Sequence, residues 1–458
     1  MLLRDYQKED IEKLKQRKTS ACFNEQRTGK TPTSLKTLEA LNCNKILVIC
    51  PSSAVYQWRD AYELWLDKPC VAVSGTPKQR KEQIDSWKHG LIISYDTLKS
   101  TQRTKGEIDY ILTKNPDGVI LDECHKIKNP KAAVTKAVFK TIQIPNRIAL
   151  SGTPAPNKPY EIYSTLHWLL PSAFNSYWNF IQEYFKVIPR QAAGHSFMDI
   201  TAFKPGMREK LQKILDKIST QRKRIDIMPW LPEKDYERVK LEPTKEQIKY
   251  LTELKKYFET EGIVTQGILD RLVRYRQICL HPGLLDLKGK SPKLEWILQY
   301  VKDYPERSII IFSKFTSFLK LLEKELQPNS FYTIIGATPI KEREKIRQAF
   351  QNKERNILLL NIDAGKEALT LDTAEAIIFT DKYPPVSDIQ QAEDRFIATT
   401  EDKASKAHTI IELILKNTFD EHLYDLVDKR KSETDVINNY KKYLDEGRWK
   451  ENGKESNV

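Results

Sequence analysis

The chain is poor in cysteine, glycine and methionine, with 6, 16 and 4 of them among 458 residues. The cysteines, Cys22, Cys43, Cys50, Cys70, Cys124 and Cys279, form no CxxC pair and no Cys/His cluster with zinc-ligand spacing, so no zinc is expected. Thiols this sparse in a long chain also exclude a disulfide framework and fit a reducing compartment. Scarce glycine excludes collagen-like and low-complexity sequence. No stretch approaches the length of apolar run needed for a spanning helix, so no membrane partner is expected. The opening MLLRDYQKEDIEKLKQRK is charged and helical in pattern, unlike a signal peptide. The expectation is a soluble, cytoplasmic protein.

What is present suggests packed domains and a polyanionic partner. Hydrophobic residues make up 40%, enough to fill substantial cores. Lys and Arg number 75 against 62 Asp and Glu, a net charge of +13, for which nucleic acid is the first candidate. Short apolar runs alternate with charged, helix-periodic stretches. They are KILVICP (45–51), GLIISYD (90–96), GVILDE (118–123), NRIALSGTP (146–154), SIIIFS (308–313), NILLLN (356–361) and AIIFTD (376–381). Continuous rather than alternating runs predict strands buried on both faces, as in parallel sheets wound with helices. Ligands of such sheets sit at the carboxyl ends of strands, where these runs carry polar tails.

The runs fall into two groups, predicting an α/β chain of two sheet domains. The first spans residues 1–227, with a helical protrusion at about 155–225. The Pro-containing segment MPWLPEKDY opens a linker at 228–240. The second spans 241–458, with a helical protrusion at about 244–285, a sheet core at about 291–430 and a helical tail. Residues 186–230 hold ten Lys/Arg and four Asp/Glu, a local excess of +6.

The strongest local signal is NEQRTGKTPTSL (24–35). A phosphate loop needs backbone amides around the phosphates, a lysine for their charge and a hydroxyl for magnesium. Gly29, Lys30 and Thr31 end such a loop, although Asn24 stands where the first glycine of GxxxxGK[ST] belongs. The same letters also suit an ordinary turn before a helix. GVILDECHKIKN (118–129) is an apolar run ending in two carboxylates: Asp122 to hold magnesium through water, and Glu123 to polarise an attacking water. Alone, the pair could equally cap a helix. Ser151 and Thr153 of SGTP (151–154) can hydrogen-bond that acidic pair or a phosphate; alone they make only a turn.

In this order the pieces resemble the superfamily-two nucleic-acid translocases of the Snf type, related to chromatin remodellers, in a phage or bacterial form. LLRDYQKEDI is similar to the family's LRxYQ element, which implies that Gln7 reads adenine, with Arg4 and Tyr6 beside it. NEQRTGKT resembles the family's DExGxGKT loop, implying nucleotide contacts from Gln26, Arg27 and Thr28 as well as Gly29, Lys30 and Thr31. ILVICPSSAVYQW resembles motif Ia, with Pro51 before a DNA-contacting loop, and ISYDTL (93–98) resembles motif Ib. LDECHKIKN resembles motif II, and ALSGTPAPN motif III. That implies coupling roles for His125, Ser151, Gly152 and Thr153. QRKRIDIMPWLPEKDY, RQICLHP and ATPIKEREKIRQAFQ resemble the family's linker, second protrusion and second-lobe segments. The resemblance implies two tandem RecA-like lobes with parallel sheets and helical protrusions, ATP and Mg2+ as cofactors, and duplex DNA as partner.

Two motifs depart from the family. Motif V, AGKEALTLDTA (364–374), keeps Gly365 for coupling, but Ala368 and Thr370 replace a glycine and an asparagine. Motif VI, QAEDRFIATTE (391–401), keeps Gln391 for ATP, Asp394 for coupling and Arg395 for catalysis beside Lys30, Asp122 and Glu123. Ala398 replaces its second arginine, the residue that usually steadies charge on the transferring phosphate. Candidate DNA contacts are Pro51, Lys126, Lys128, Arg222, Lys223, Arg224 and Arg276; for the charged residues among them, a solvated helix face is the plain alternative. Trp58 and Trp168 suit either base stacking or a core. The expected activity is a DNA-dependent ATPase that moves along duplex DNA in phage or bacterial replication, recombination or repair, with partner proteins from those processes. A strand-separating helicase and an ATP-gated DNA-binding protein with weak hydrolysis remain as alternatives.

Overall fold

The computed structural model describes every residue except 1, 100–105, 153, 156–157, 193–194, 231–234, 258, 261–262, 265–266, 366–370, 372, 384–388, 390–391, 394–408, 430–432, 447–449, 452–453 and 456–458. The chain divides into two units, Met1–Pro229 and Trp230–Val458. No described helix is long and apolar enough to cross a membrane.

The first unit is built on seven parallel strands: β1 (Thr19–Cys22), β2 (Ile46–Cys50), β3 (Cys70–Ala72), β4 (Gly90–Ser94), β5 (Gly118–Leu121), β6 (Asn146–Leu150) and β9 (Ser219–Thr220). Their order in the sheet is β3-β4-β2-β5-β6-β1-β9. Strands β2, β4 and β5 are buried along their whole length, as their unbroken apolar runs predict. The sequence reading misses β1, whose TSAC carries no apolar run, and the short β3 and β9. The order decides where chemistry collects. Because β5, β6 and β1 are adjacent, the segments after Leu121, Leu150 and Cys22 emerge side by side at the carboxyl edge.

The protrusion at 155–225 differs from its all-helical expectation. Helices Tyr163–Leu169, Tyr177–Tyr184 and Met207–Ile218 enclose an antiparallel hairpin of β7 (Phe185–Ala192) and β8 (His195–Phe203). Val187 and Ile200, paired across it, pack against the core. Trp168 is fully buried there and donates its indole N–H to Thr141, which settles it as a core residue.

The second unit carries six parallel strands in the order β10-β17-β16-β13-β15-β14. These are β10 (Asp235–Leu241), β13 (Ile309–Ser313), β14 (Phe331–Ile334), β15 (Ile357–Asn361), β16 (Ala376–Phe379) and β17 (Thr409–Leu415); a two-residue pair, β11 (Glu259–Thr260) and β12 (Ile263–Val264), lies between β10 and β13 in the chain. Ile310, Phe312, Leu358, Leu360 and Phe379 fill one side of the sheet, and Ile309, Ile311, Leu359, Ile378 and Leu413 the other. Each such side chain contributes roughly 1.5–3 kcal/mol on burial. The 228–240 linker needs correction at its end. Residues 235–241 form the edge strand β10, in parallel register with Thr409–Leu415. Its mostly exposed, charged DYERVKL carries no apolar run to announce a strand. Helices Lys245–Tyr257, Ile268–Leu280, Phe419–Asp428 and Glu433–Glu446 share a core through Leu254, Tyr275, Phe419, Val436 and Tyr440, so the tail helix is packed along one face.

Candidate functional site

The loop between β1 and helix α2 (Lys30–Ala40) is held from several sides. Gly29 caps the helix at φ 74°, in the left-handed region that glycine enters without penalty. A Cβ there would lie 2.0 Å from Gln7 Nε2, so the position also demands glycine for space. Gln7 belongs to helix α1 (Asp5–Leu14); its Oε1 accepts from the Arg4 amide at 2.9 Å, and its Nε2 donates to the Thr28 carbonyl at 3.4 Å. The Tyr6 hydroxyl donates to the same carbonyl at 3.0 Å. The Thr28 hydroxyl and the Lys30 ammonium both donate to the Glu25 carbonyl, at 2.8 and 3.0 Å. The first-turn amides of α2 have no partner within the helix, which favours an anion at its start.

Asn24, in the place of the missing glycine, is buried and braced. Its amide donates to Asp10 at 2.7 Å and accepts from the Arg222 backbone at 3.0 Å. The Arg222 guanidinium pairs with Asp10 at 2.7 Å and Glu9 at 2.8 Å. Arg222, a candidate DNA contact from sequence, therefore serves the architecture of the loop. Arg224 also engages this loop, its amide donating to Glu25 Oε2 at 2.8 Å.

The acidic pair lies at the end of β5. Asp122 Oδ2 accepts the indole N–H of Trp58 at 2.8 Å, and Oδ1 accepts the Glu123 amide at 2.9 Å. Burial, then the charge of Glu123, raises the Asp122 pKa to about 6; the Trp58 donor and the Lys30 charge pull the other way. Lys30 is thus close enough for its charge to act on the carboxylate, which ties the phosphate loop to the acidic pair. Glu123 sits at φ 47°, a costly backbone for a glutamate. Its carboxylate lies 3.2 Å from His125 Nδ1, which in turn is 3.3 Å from the Ser151 hydroxyl. Gly152 abuts the loop, since a Cβ there would come within 3.0 Å of Gln26 Cγ. Thr153 lies outside the described residues.

Sequence reasoning underused Trp58. It is buried in helix α3 (Val55–Leu66), yet it is the side chain that orients Asp122. Tyr95 donates to the Asp122 carbonyl at 2.5 Å, a role that nothing in its local sequence signals. Only the packing of α3, and of the turn that follows β4, against the end of β5 reveals either role. Cys124 is buried and its thiol pushed up to about 12, so it is an inert packing group.

The residues expected to hold ATP and Mg2+ fit those groups chemically. A helix start, Lys30 and the Thr31 hydroxyl suit phosphate, and Thr31 with Asp122 offers hard oxygen donors for magnesium. Among the candidate DNA contacts, Lys126 and Lys223 are exposed, Pro51 is half-buried, and Lys128 lies 3.7 Å from Glu161. Arg276 of the second unit is buried, pairs with Asp381 at 2.8 Å and stacks on Tyr383. It is an internal charge, which removes it from a solvent-facing binding surface. Gly365 ends the short helix Ile362–Gly365. Gln391, Asp394 and Arg395 lie outside the described residues.

Comparison with known proteins bears on this assembly. Residues 4–284 match the SNF2-related domain. The chain belongs to the SNF2-related family. Residues 292–397 of this SNF2-related chain match the helicase conserved C-terminal domain. It is 26% identical over 377 residues to the probable ATP-dependent DNA helicase CHR23 of Arabidopsis thaliana, covering 76% of this chain and 34% of the relative. It is 25% identical over 408 residues to the nuclear protein STH1/NPS1 of Saccharomyces cerevisiae, covering 80% and 30%. The SNF2-related chain therefore spans about a third of the length of the curated relatives it matches. A solved Sulfolobus solfataricus SWI2/SNF2 ATPase core in complex with dsDNA aligns at a TM-score of 0.43 and 22% identity, over 94% of this chain and 91% of that one.

Proposed function

We propose that the protein is a DNA-dependent ATPase that uses hydrolysis to move along duplex DNA. The observation that carries this reading is the joining of Gly29, Lys30 and Thr31 with Asp122 and Glu123 at one carboxyl edge of a parallel sheet, in a chain of the SNF2-related family. Lys30 and the amides opening α2 receive the phosphates, while Gln7, held by Arg4, sits beside the loop for the base. Magnesium, when bound through Thr31 and Asp122, supplies charge neutralisation across the phosphates. Glu123 orients a water whose oxygen adds to the γ-phosphorus as the bond to the bridging oxygen breaks. ADP keeps that electron pair, and the water's proton ends on phosphate or solvent. His125 and Ser151 relay the state of Glu123 to the neighbouring strand end. Arg395 is the residue this reading assigns to the γ-phosphate from motif VI.

The net charge of +13 and the exposed Lys126 and Lys223 support a DNA backbone as the track. Binding through phosphates tolerates any base sequence and weakens with salt. The QRTGKT form of the loop supports a phage or bacterial setting, in the cytoplasm, near replication, recombination or repair partners. Ala398, with Ala368 and Thr370, favours one second reading, an ATP-gated DNA-binding protein with weak hydrolysis. The test is phosphate release with no polymer, single strand, duplex, forked DNA and RNA, alongside Glu123→Gln. Duplex-stimulated turnover that Glu123→Gln abolishes, with triplex displacement but no unwinding, is the expected result. Undetectable turnover with intact nucleotide binding would install the second reading. Unwinding of a fork would make it a strand-separating helicase.

A further inference from the structure

Nine non-glycine residues among those described have positive φ, and six are Asn or Asp, which tolerate that conformation. The exceptions are Arg27, Glu123 and Lys353. Lys353 follows the end of helix Ile340–Gln351, a common place for a left-handed residue. The other two belong to the nucleotide machinery, where strain persists when function holds it in place.

Arg27, at φ 66°, is the anomaly. It stands where the resembling DExGxGKT loop has a glycine, and the backbone still takes the conformation a glycine would. A non-glycine residue there costs about 1–2 kcal/mol. The loop does little to absorb this by bending, because its ends are tied. Thr28 is anchored through its carbonyl to Tyr6 and Gln7, and through its hydroxyl to Glu25. Gln26 lies against Gly152. Arg27 is therefore the half-buried residue at the turn of a fixed loop, two positions before the glycine that opens α2. A guanidinium has a permanent charge and a planar fork suited to phosphate oxygens. The chain also has alanine, at 398, where motif VI usually supplies its second arginine.

We propose that Arg27 takes over that missing charge, contacting the γ-phosphate from the phosphate loop itself and stabilising the transition state of hydrolysis. This rests on the ATPase reading above. It makes one transition-state cation a property of the first unit, with Arg395 the second.

The test uses full-length Arg27→Gly. Glycine accepts φ 66° freely, so the variant keeps or gains thermal stability. The expected result is a loss of kcat of about 10²–10³-fold, with KM for ATP within about threefold of wild type. Adding Ala398→Arg to Arg27→Gly restores at least about a tenfold share of that loss, because the charge returns from its usual place. Wild-type kcat in Arg27→Gly overturns the proposal. So does a loss of kcat that comes with a matching loss of nucleotide affinity and no rescue by Ala398→Arg, which marks a purely structural role. A wild-type protein without any polymer-stimulated hydrolysis is a different failure; it removes the ATPase reading, and this inference with it.

Discussion

Replacing Trp58 with phenylalanine isolates one contact that holds the Asp122 pKa down against burial and the charge of Glu123. The substitution removes the indole donor 2.8 Å from Oδ2 and keeps an aromatic ring in the core. A hydrogen bond to an ionised group contributes about 1.5–3 kcal/mol. At about 1.4 kcal/mol per pH unit, its loss raises Asp122 from about 6 by roughly one to two further units. At pH 7 the carboxylate then falls from roughly nine-tenths ionised to half or less. Magnesium needs the ionised form, so the Mg2+ concentration for half-maximal ATPase rises at pH 7 and returns toward wild type near pH 8.5.

Stability provides a second readout with a definite sign. The folded pKa of Asp122 lies above its ordinary 3.8, so ionising it costs stability; the cost is absent below about pH 4 and complete above about pH 6. Trp58 reduces that cost only when the carboxylate is ionised. Trp58→Phe therefore destabilises the apo-protein by about 1.5–3 kcal/mol more at pH 8 than at pH 5, on top of a packing loss common to both. Urea unfolding at the two pH values measures the difference. An equal loss at both, with an unchanged Mg2+ requirement, would refute the reasoning.

Gly29→Ala should lower affinity for a fluorescent ATP analogue more than about tenfold, because it pays a left-handed penalty of about 1–2 kcal/mol and drives Gln7 off the Thr28 carbonyl; Gln7→Ala added to it relieves the clash alone and restores only part of the binding. Lys293 is fully buried in the second unit and donates to Asp420 and to the Thr380 carbonyl, both at 2.8 Å. Lys293→Met leaves Asp420 charged without its cation, so chemical denaturation should show a loss of about 3–5 kcal/mol, and Asp420→Asn in the same chain should recover part of it.

Much of the fold is legible in the letters. Unbroken runs such as ILVIC and ILLLN become strands buried on both faces, because alternating side chains meet helices above and below the sheet. Apart from β17, whose TIIELIL carries such a run, the strands that escape the sequence reading give a weaker signal. TSAC is short and half polar, and DYERVKL lies at an edge with most side chains in water. Register and neighbours make them strands. The hairpin at 185–203 is hidden because Lys186, Pro189 and Asp199 interrupt its strands, leaving no unbroken apolar run.

At the site, residue identity and spacing by themselves marked the candidate parts, Gly29, Lys30 and Thr31 and the Asp122–Glu123 pair, and the family resemblance marked Ala398 as a departure. The parts follow from local chemistry, since a phosphate loop and a carboxylate pair are each written in a few consecutive residues. Only the tertiary structure decided which residues support them. The order β5-β6-β1 brought three distant loops to one edge. Packing within the first unit turned Trp58 from a candidate base-stacking platform into the donor that holds Asp122 and drew Arg222 inward to brace Asn24, and packing within the second unit buried Arg276 against Asp381. Such pairings depend on strand order and helix packing, which no local stretch of sequence contains.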